Sequence, residues 1–562
     1  MRRWFLGVAV GVAAFQIAAY PLPEDSTAQN GVMQHKTSHV GRYKVNGPAL
    51  PQTGLHPNWQ RGLQRRYTGA GIDATLYHYD SYPTGWNQAE TDLTPATVGS
   101  ASFGQITTLN VDGNVFAQPL LVSGFTMPDN SVHDVLIVAT GHNTVYAYDA
   151  QNYSILWKRS LGTPQATNDV GCGDIQPEYG ISSTPVIVRT AQNQAAIFVV
   201  SASEPAHLSF HTKIHKLDLG TGKDLVRARE IRPQGKLATG GKIHFDPQNQ
   251  WNRASLQYHD GSIYMGVGSH CDNNAGQISG WMLRYDENLN LTSKFNTIKA
   301  QAGYELSSIW MAGYSPAIGP DGRVYAITGN GYYSATKGHL GYGESVLGFT
   351  PDLKIDSTFT PAEWQQLNNS DADFGSGGAM LIPKVDGQQA PAMILGSGKS
   401  GMVYLLNADN MGGLEGHGGA VLQKVQQGGC WCGAAYYRNS AGFGVVFYQG
   451  NSDNLHGYVV NTGATPSLSN TINGNAGGGF GGSFPVVSSN GQTAHTGVVW
   501  LIRRASTVQI EAYNAETLGT PLFRSNAGTW SNGSRAYLSP LVANGRVYVP
   551  AYQTVTVFGL TD

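Results

Sequence analysis

The chain has 562 residues, 35 basic and 37 acidic side chains and a net charge of −2, with no basic, aromatic-interleaved stretch of the kind nucleic-acid binding requires. Only 13% of residues are charged, against about a quarter in ordinary globular chains, while 72 glycines and 26 prolines supply frequent turns. No long window repeats apolar residues at helical spacing, so an all-β chain is expected. The sparse charge suits a compact secreted protein. It also suits an acidic medium, where few titrating carboxylates limit the loss of stability.

The N-terminus reads Met1-Arg2-Arg3, then a mostly apolar run from Trp4 to Ala19. That pattern predicts a secretory signal over residues 1–19, cleaved between Ala19 and Ala28, with a retained anchor as the alternative. No other segment approaches membrane-spanning length. The processed chain is therefore expected to be periplasmic or extracellular and not membrane-spanning. Residues 20–100 read as a polar arm and lead-in loop, with little strand pattern beyond LYHY near Leu76. The arm either folds over the domain behind it or reaches a partner subunit, as in a homodimer.

Residues 101–562 follow one plan. In DVLIVATGHNTVYAYDAQNYSILWKRSLG (134–162), three short apolar runs are separated by Gly-His-Asn and Asp-Ala-Gln-Asn turns. β-Branched and aromatic residues between such turns read as antiparallel strands. Three strands are marginal alone, so the unit must stack on copies of itself. It recurs from ISSTPVIV (181–188) through YSPAIGPDGRVYAITGN (314–330) and AMILGSGKSGMVYLLNAD (392–409) to LSPLVANGRVYVPAYQTVTVFGL (538–560). Eight units result, and the last lacks an outer strand. QITTLNV (105–111) is a strand without a unit, so ring closure into an eight-bladed β-propeller is predicted, which removes exposed sheet edges.

In a propeller, loops between blades and loops between the second and third strands share one face, and rigid scaffolds carry chemistry on such loops. The long loops here are 163–180, 203–212, 231–252, 268–280, 328–344, 356–378, 424–433 and 471–483. They hold Cys172, Cys271, Cys430 and Cys432, together with Asp174, Glu178, Glu204, His207, His244, Asp246, His270, Asp272, Glu344, Asp371 and Asp373. Arg253 and Lys399 lie close by. After export four cysteines allow three pairings. Cys430 and Cys432 are not expected to pair with each other, because strand neighbours at i and i+2 lie too far apart.

At NTVYAYDAQNYSILWKRSLG, GISSTPVIV and NGRVYVP the chain resembles the quinoprotein-type (PQQ-like) propeller superfamily. Its GDI (173–175), Glu178, FDP (245–247), DFGSGG (373–378) and DNM (409–411) resemble a secreted branch of that superfamily. One similar group is the tetrathionate hydrolases of acidophilic sulfur oxidisers, which use a propeller without a quinone. The resemblance implies a hydrolase of a small anionic sulfur compound, with no cofactor and no metal. The superfamily's dehydrogenases instead have a vicinal Cys-Cys pair, a Trp floor and a calcium site of Glu, Asn and Asp. No two cysteines are adjacent here and most outer strands lack Trp, so PQQ and calcium stand as the alternative.

On the hydrolase reading, Asp373 is the general base, with Asp371 beside it in a glycine-rich loop whose amides suit an anion. Arg253 and Lys399 hold the sulfonate ends, with Lys242 as a further loop cation. Cys271, between His270 and Asp272, is either a covalent relay or half of a disulfide. The Asp pair is alternatively a turn cap, and Arg253 alternatively a structural anchor. Asp174, Glu178 and His270 complete the substrate-binding candidates. A non-catalytic scaffold is the third reading. It predicts all cysteines in disulfides and no convergent carboxylate–cation pocket.

Overall fold

The computed structural model describes residues 71–273, 278–299, 306–334, 340–385, 387–530 and 538–561. The expected signal and the arm up to residue 70 lie outside the described residues. The fold is the expected all-β propeller. Among the described residues hydrogen bonding gives one nine-stranded, two five-stranded, four four-stranded and two two-stranded sheets. The nine-stranded one consists of two four-stranded antiparallel units joined by a single Gly474–Gly519 bridge, with Trp86–Asn87 added in parallel at one edge.

The first sheet shows why this sequence makes such units. Its strands are Leu120–Thr126, Val132–Ala139, Thr144–Asp149 and Ile155–Ser160. Thr144–Asp149 is buried throughout, whereas Ile155–Ser160 is largely exposed. A strand covered on both faces reads as a continuous apolar run, and solvent returns only at the outer strand. Trp157, on that outer strand, donates its indole N–H to Leu219 O at 2.8 Å. A Cβ on Gly222, which has φ +67°, would lie 2.6 Å from the same ring. Glycine in the second sheet's turn therefore lets the tryptophan staple two sheets together.

The last sheet is built from Leu541–Ala543, Arg546–Pro550 and Tyr552–Leu560, and Phe103–Asn114 supplies its fourth strand. Gln105 pairs with Phe558 and Leu109 with Val555, so the orphan run at 105–111 completes the final unit.

Residues 71–98 are woven into the domain, with backbone bonds to Leu121, Ile187, Ile318, Tyr436 and Val487. They thus tie together strands from five of the antiparallel units. At their centre Tyr77 and His78 stack at 4.2 Å, edge-on to Tyr314. Burial pushes the His78 imidazole down to about 3, so it stays neutral.

Candidate active site

The Asp371–Gly378 loop owes its shape to close backbone approaches. A Cβ on Gly375 would lie 2.3 Å from Gly329 N, one on Gly377 1.9 Å from Ser397 O, and one on Gly378 2.2 Å from the Tyr314 ring. Phe374 anchors the loop, buried against Phe359 and Tyr404. The anchor sets Asp373 at 5% exposure. Its Oδ1 accepts the Asn330 backbone N–H at 2.9 Å, and its Oδ2 lies 2.5 Å from Lys399 Nζ. Lys399 Nζ also donates to Asp371 Oδ1 at 2.7 Å, and Asn330 Nδ2 donates to that same oxygen at 2.8 Å.

Two further carboxylates face this group. Glu344 is fully buried, and its Oε2 accepts the Phe374 N–H at 2.6 Å. Asp272 Oδ1 accepts from Ser269 Oγ at 2.5 Å, and Ser308 Oγ in turn bonds that serine at 2.9 Å. Glu344 Oε1 and Asn330 Oδ1 are buried without a hydrogen-bond partner among the described residues. Lys399 Nζ lies 6.0 Å from the Trp310 ring centre and 5.8 Å from that of Trp431, which packs on Phe480 at 5.5 Å. A Cβ placed on Gly329 would meet Asp373 Oδ1 at 2.1 Å and Trp310 Nε1 at 3.1 Å, so that indole borders the carboxylate.

Charge is unevenly supplied. Burial, and then the neighbouring Asp373, push Asp272 up to about 6 and Glu344 well above the usual carboxylate range. Burial also raises Asp373, outweighing Lys399. Asp371 is pulled up by burial, but Lys399 outweighs that and holds it below its ordinary value. Lys399 itself is raised: burial works against the ammonium, and Asp373 and Asp371 overcome it. Four acids thus share one cation.

The other candidates separate from this group. Cys271 is bonded to Cys172, so it is no thiolate relay. Cys430 and Cys432 pair with each other, against expectation. The reason is local. They sit in a bend rather than a strand, which brings their Cα atoms to 4.8 Å instead of the roughly 6.5 Å of strand neighbours. His270 is buried between Trp251 and Tyr179, and burial lowers it to about 3. It is therefore neutral and sealed off, unsuited to holding a sulfonate. Arg253 lies over Trp251 at 5.3 Å and lines a small cavity with Tyr77, Ser182, Thr184 and Ser539. Glu178 accepts from His142 at 2.8 Å, Asp174 is exposed beside the Cys172–Cys271 bridge, and Lys242 is exposed on a hairpin.

Of the residues the sequence singled out, the structure brings Asp371, Asp373 and Lys399 together. Sequence reasoning noted Asp272 and Glu344 on the right loops but gave them no role, and it passed over Asn330 and Trp310. The signal for the last two was their repeat: Trp310 precedes the fourth unit's inner strand, and Asn330 follows the next strand of that unit.

No family model and no curated relative matches the sequence. Solved structures do match. A quinohemoprotein alcohol dehydrogenase from Comamonas testosteroni aligns with TM-score 0.54 and 14% identity, over 87% of this chain and 80% of that one. The chain has the quinoprotein-type propeller fold. A second quinohemoprotein alcohol dehydrogenase, from Pseudomonas putida HK5, gives 0.55 and 12%, over 87% and 80%. A europium-containing methanol dehydrogenase gives 0.55 and 14%, over 86% and 90%. None of these likenesses singles out the tetrathionate hydrolase branch.

Proposed function

We propose that this protein is an exported quinone-dependent oxidoreductase whose Asp373 site holds a hard cation and oxidises a small alcohol-type substrate. One observation carries the reading. Four carboxylates share one ammonium, and two buried oxygens beside them, Glu344 Oε1 and Asn330 Oδ1, lack partners among the described residues. An oxygen set from Glu, Asn and Asp suits calcium or a lanthanide, and a cation would relieve the carboxyl groups that burial holds up. These are also the donor types of the superfamily's calcium site.

Trp310 brings its indole edge beside Asp373 and its ring near Lys399, an aromatic surface that would suit a ring-shaped cofactor. A bound quinone would accept two electrons from the substrate. Asp373 takes the substrate hydroxyl proton: burial lifts its carboxyl towards the working range of a base, while Lys399 partly offsets that rise. Lys399, fixed by Asp371 and flanked by two indoles, positions whatever lies against Asp373. The substrate class rests on likeness to the alcohol and methanol dehydrogenases. Export fits four cysteines that all lie in disulfides.

The test supplies PQQ with calcium or lanthanum to the purified protein and follows dye reduction by short primary alcohols. Turnover that disappears in Asp373→Asn is expected. No dye reduction with any alcohol or cation would refute the reading.

A second reading, hydrolysis of a sulfur oxyanion such as tetrathionate, is favoured by the same raised acids under other conditions. With Asp272 near 6 and Glu344 and Asp373 also raised, all three are neutral near pH ~3, so that only Asp371, held below its ordinary value, still opposes the attraction of Lys399 for a dianion. At neutral pH the acids repel it. Tetrathionate loss at about pH 3 without added quinone identifies this chemistry. Of the scaffold reading, the paired cysteines agree and the convergent carboxylate–cation site does not.

A further inference from the structure

Asp169, Glu204 and His207 form a second cluster, independent of the Asp373 site. Asp169 sits on the short turn Thr167–Val170, and Glu204 and His207 on the loop after strand Gln194–Ser203. His207 Nδ1 lies 3.1 Å from Asp169 Oδ2 and 4.0 Å from Glu204 Oε1, and the three ligand atoms lie within 4.8 Å of one another. We propose that these three side chains bind a divalent transition-metal ion such as zinc.

Ligands about 2.0–2.2 Å from a common zinc ion stand roughly 3.3–3.6 Å from one another. Shifts of about 1 Å or less would close the observed triangle onto a metal. The donor set is one imidazole nitrogen and two carboxylates, which selects zinc or its first-row neighbours over calcium. Glu204 is pre-aimed. It is buried, its Oε1 accepts Leu208 N at 2.6 Å and its Oε2 accepts Ala166 N at 3.1 Å. Each carboxylate oxygen keeps a second lone pair for a metal.

As a plain ion pair the arrangement is incomplete, because one exposed histidine faces two carboxylates, and an exposed pair contributes little. A divalent ion balances both. It would fasten loop 163–180, which carries Cys172, to loop 203–212, adding to the Glu204 N–H bond to Thr163 O at 2.9 Å. Three protein ligands leave a coordination position for water.

The test is calorimetric zinc titration of the chelator-stripped full chain at neutral pH, beside His207→Ala, Glu204→Gln and Glu344→Gln. His207 is largely exposed, so its variant should fold normally. One equivalent should bind to the wild type, weaken about a hundredfold or more in His207→Ala and Glu204→Gln, and persist in Glu344→Gln. Cobalt should give visible absorption bands with the wild type and lose them in His207→Ala. Zinc binding equal in wild type and His207→Ala, or absent from both, overturns the proposal. Loss in Glu344→Gln instead would assign the ion to the Asp373 site.

Discussion

Replacing Asp272 with Asn should stabilise the protein at neutral pH and leave it unchanged in acid. Burial first, then Asp373 and Asp371, lift this carboxyl from 3.8 to about 6. Because the folded value lies above the unfolded one, the folded state prefers the protonated form. The cost is absent below the unfolded value, grows between about pH 4 and 6, and is complete above that. At 1.36 kcal/mol per tenfold, lifting the group this far costs about 3 kcal/mol, and partial exposure trims this to about 2 kcal/mol. Asparagine keeps an acceptor for Ser269 Oγ and carries no charge to bury. Urea unfolding from pH 4 to pH 8, with chelator present and disulfides intact, measures the gap. Equal midpoints at pH 4 and a variant more stable by about 2 kcal/mol at pH 7 are expected. An equal gap at both pH values, or none at pH 7, would refute the reasoning.

Lys399→Met leaves Asp373 buried without its ion-pair partner. Its cost should reach about 3–5 kcal/mol at pH 7 and shrink in acid, by the same unfolding assay. Gly329→Ala places a methyl 2.1 Å from Asp373 Oδ1, so dye-linked turnover should fall by at least about tenfold in protein that still folds. Replacing both Cys172 and Cys271 with serine opens a loop of sequence separation 99, a loss of about 4–5 kcal/mol on the chain-entropy account. The same change at Cys430 and Cys432, two residues apart, should cost far less.

The fold was legible because each unit repeats one alternation of strand and turn, and because 105–111 had no partner except an incomplete last unit. The chemistry was legible only where it was local. Asp371 and Asp373 share a loop, and Lys399 follows the next unit's second strand. Asp272, Asn330 and Glu344 come from two other units, so their convergence depends on how the sheets are arranged around the ring, which spacing along the chain does not encode. Cys271 carried two readings, a thiol activated by its neighbours His270 and Asp272 or half of a disulfide, and the structure shows the second. In the structure, burial neutralises the histidine and Cys172 takes the sulfur. The Cys430–Cys432 pairing escaped because strand geometry was assumed where the backbone bends.

The central claim is that the Asp373 site is short of positive charge and takes a hard cation. Its most direct test is calorimetric titration of chelator-stripped protein at pH 7 with calcium and with lanthanum, comparing wild type with Glu344→Gln and Asp373→Asn. One ion bound by the wild type and lost in both variants is the predicted result. No binding to the wild type, or binding that both variants retain, would contradict it.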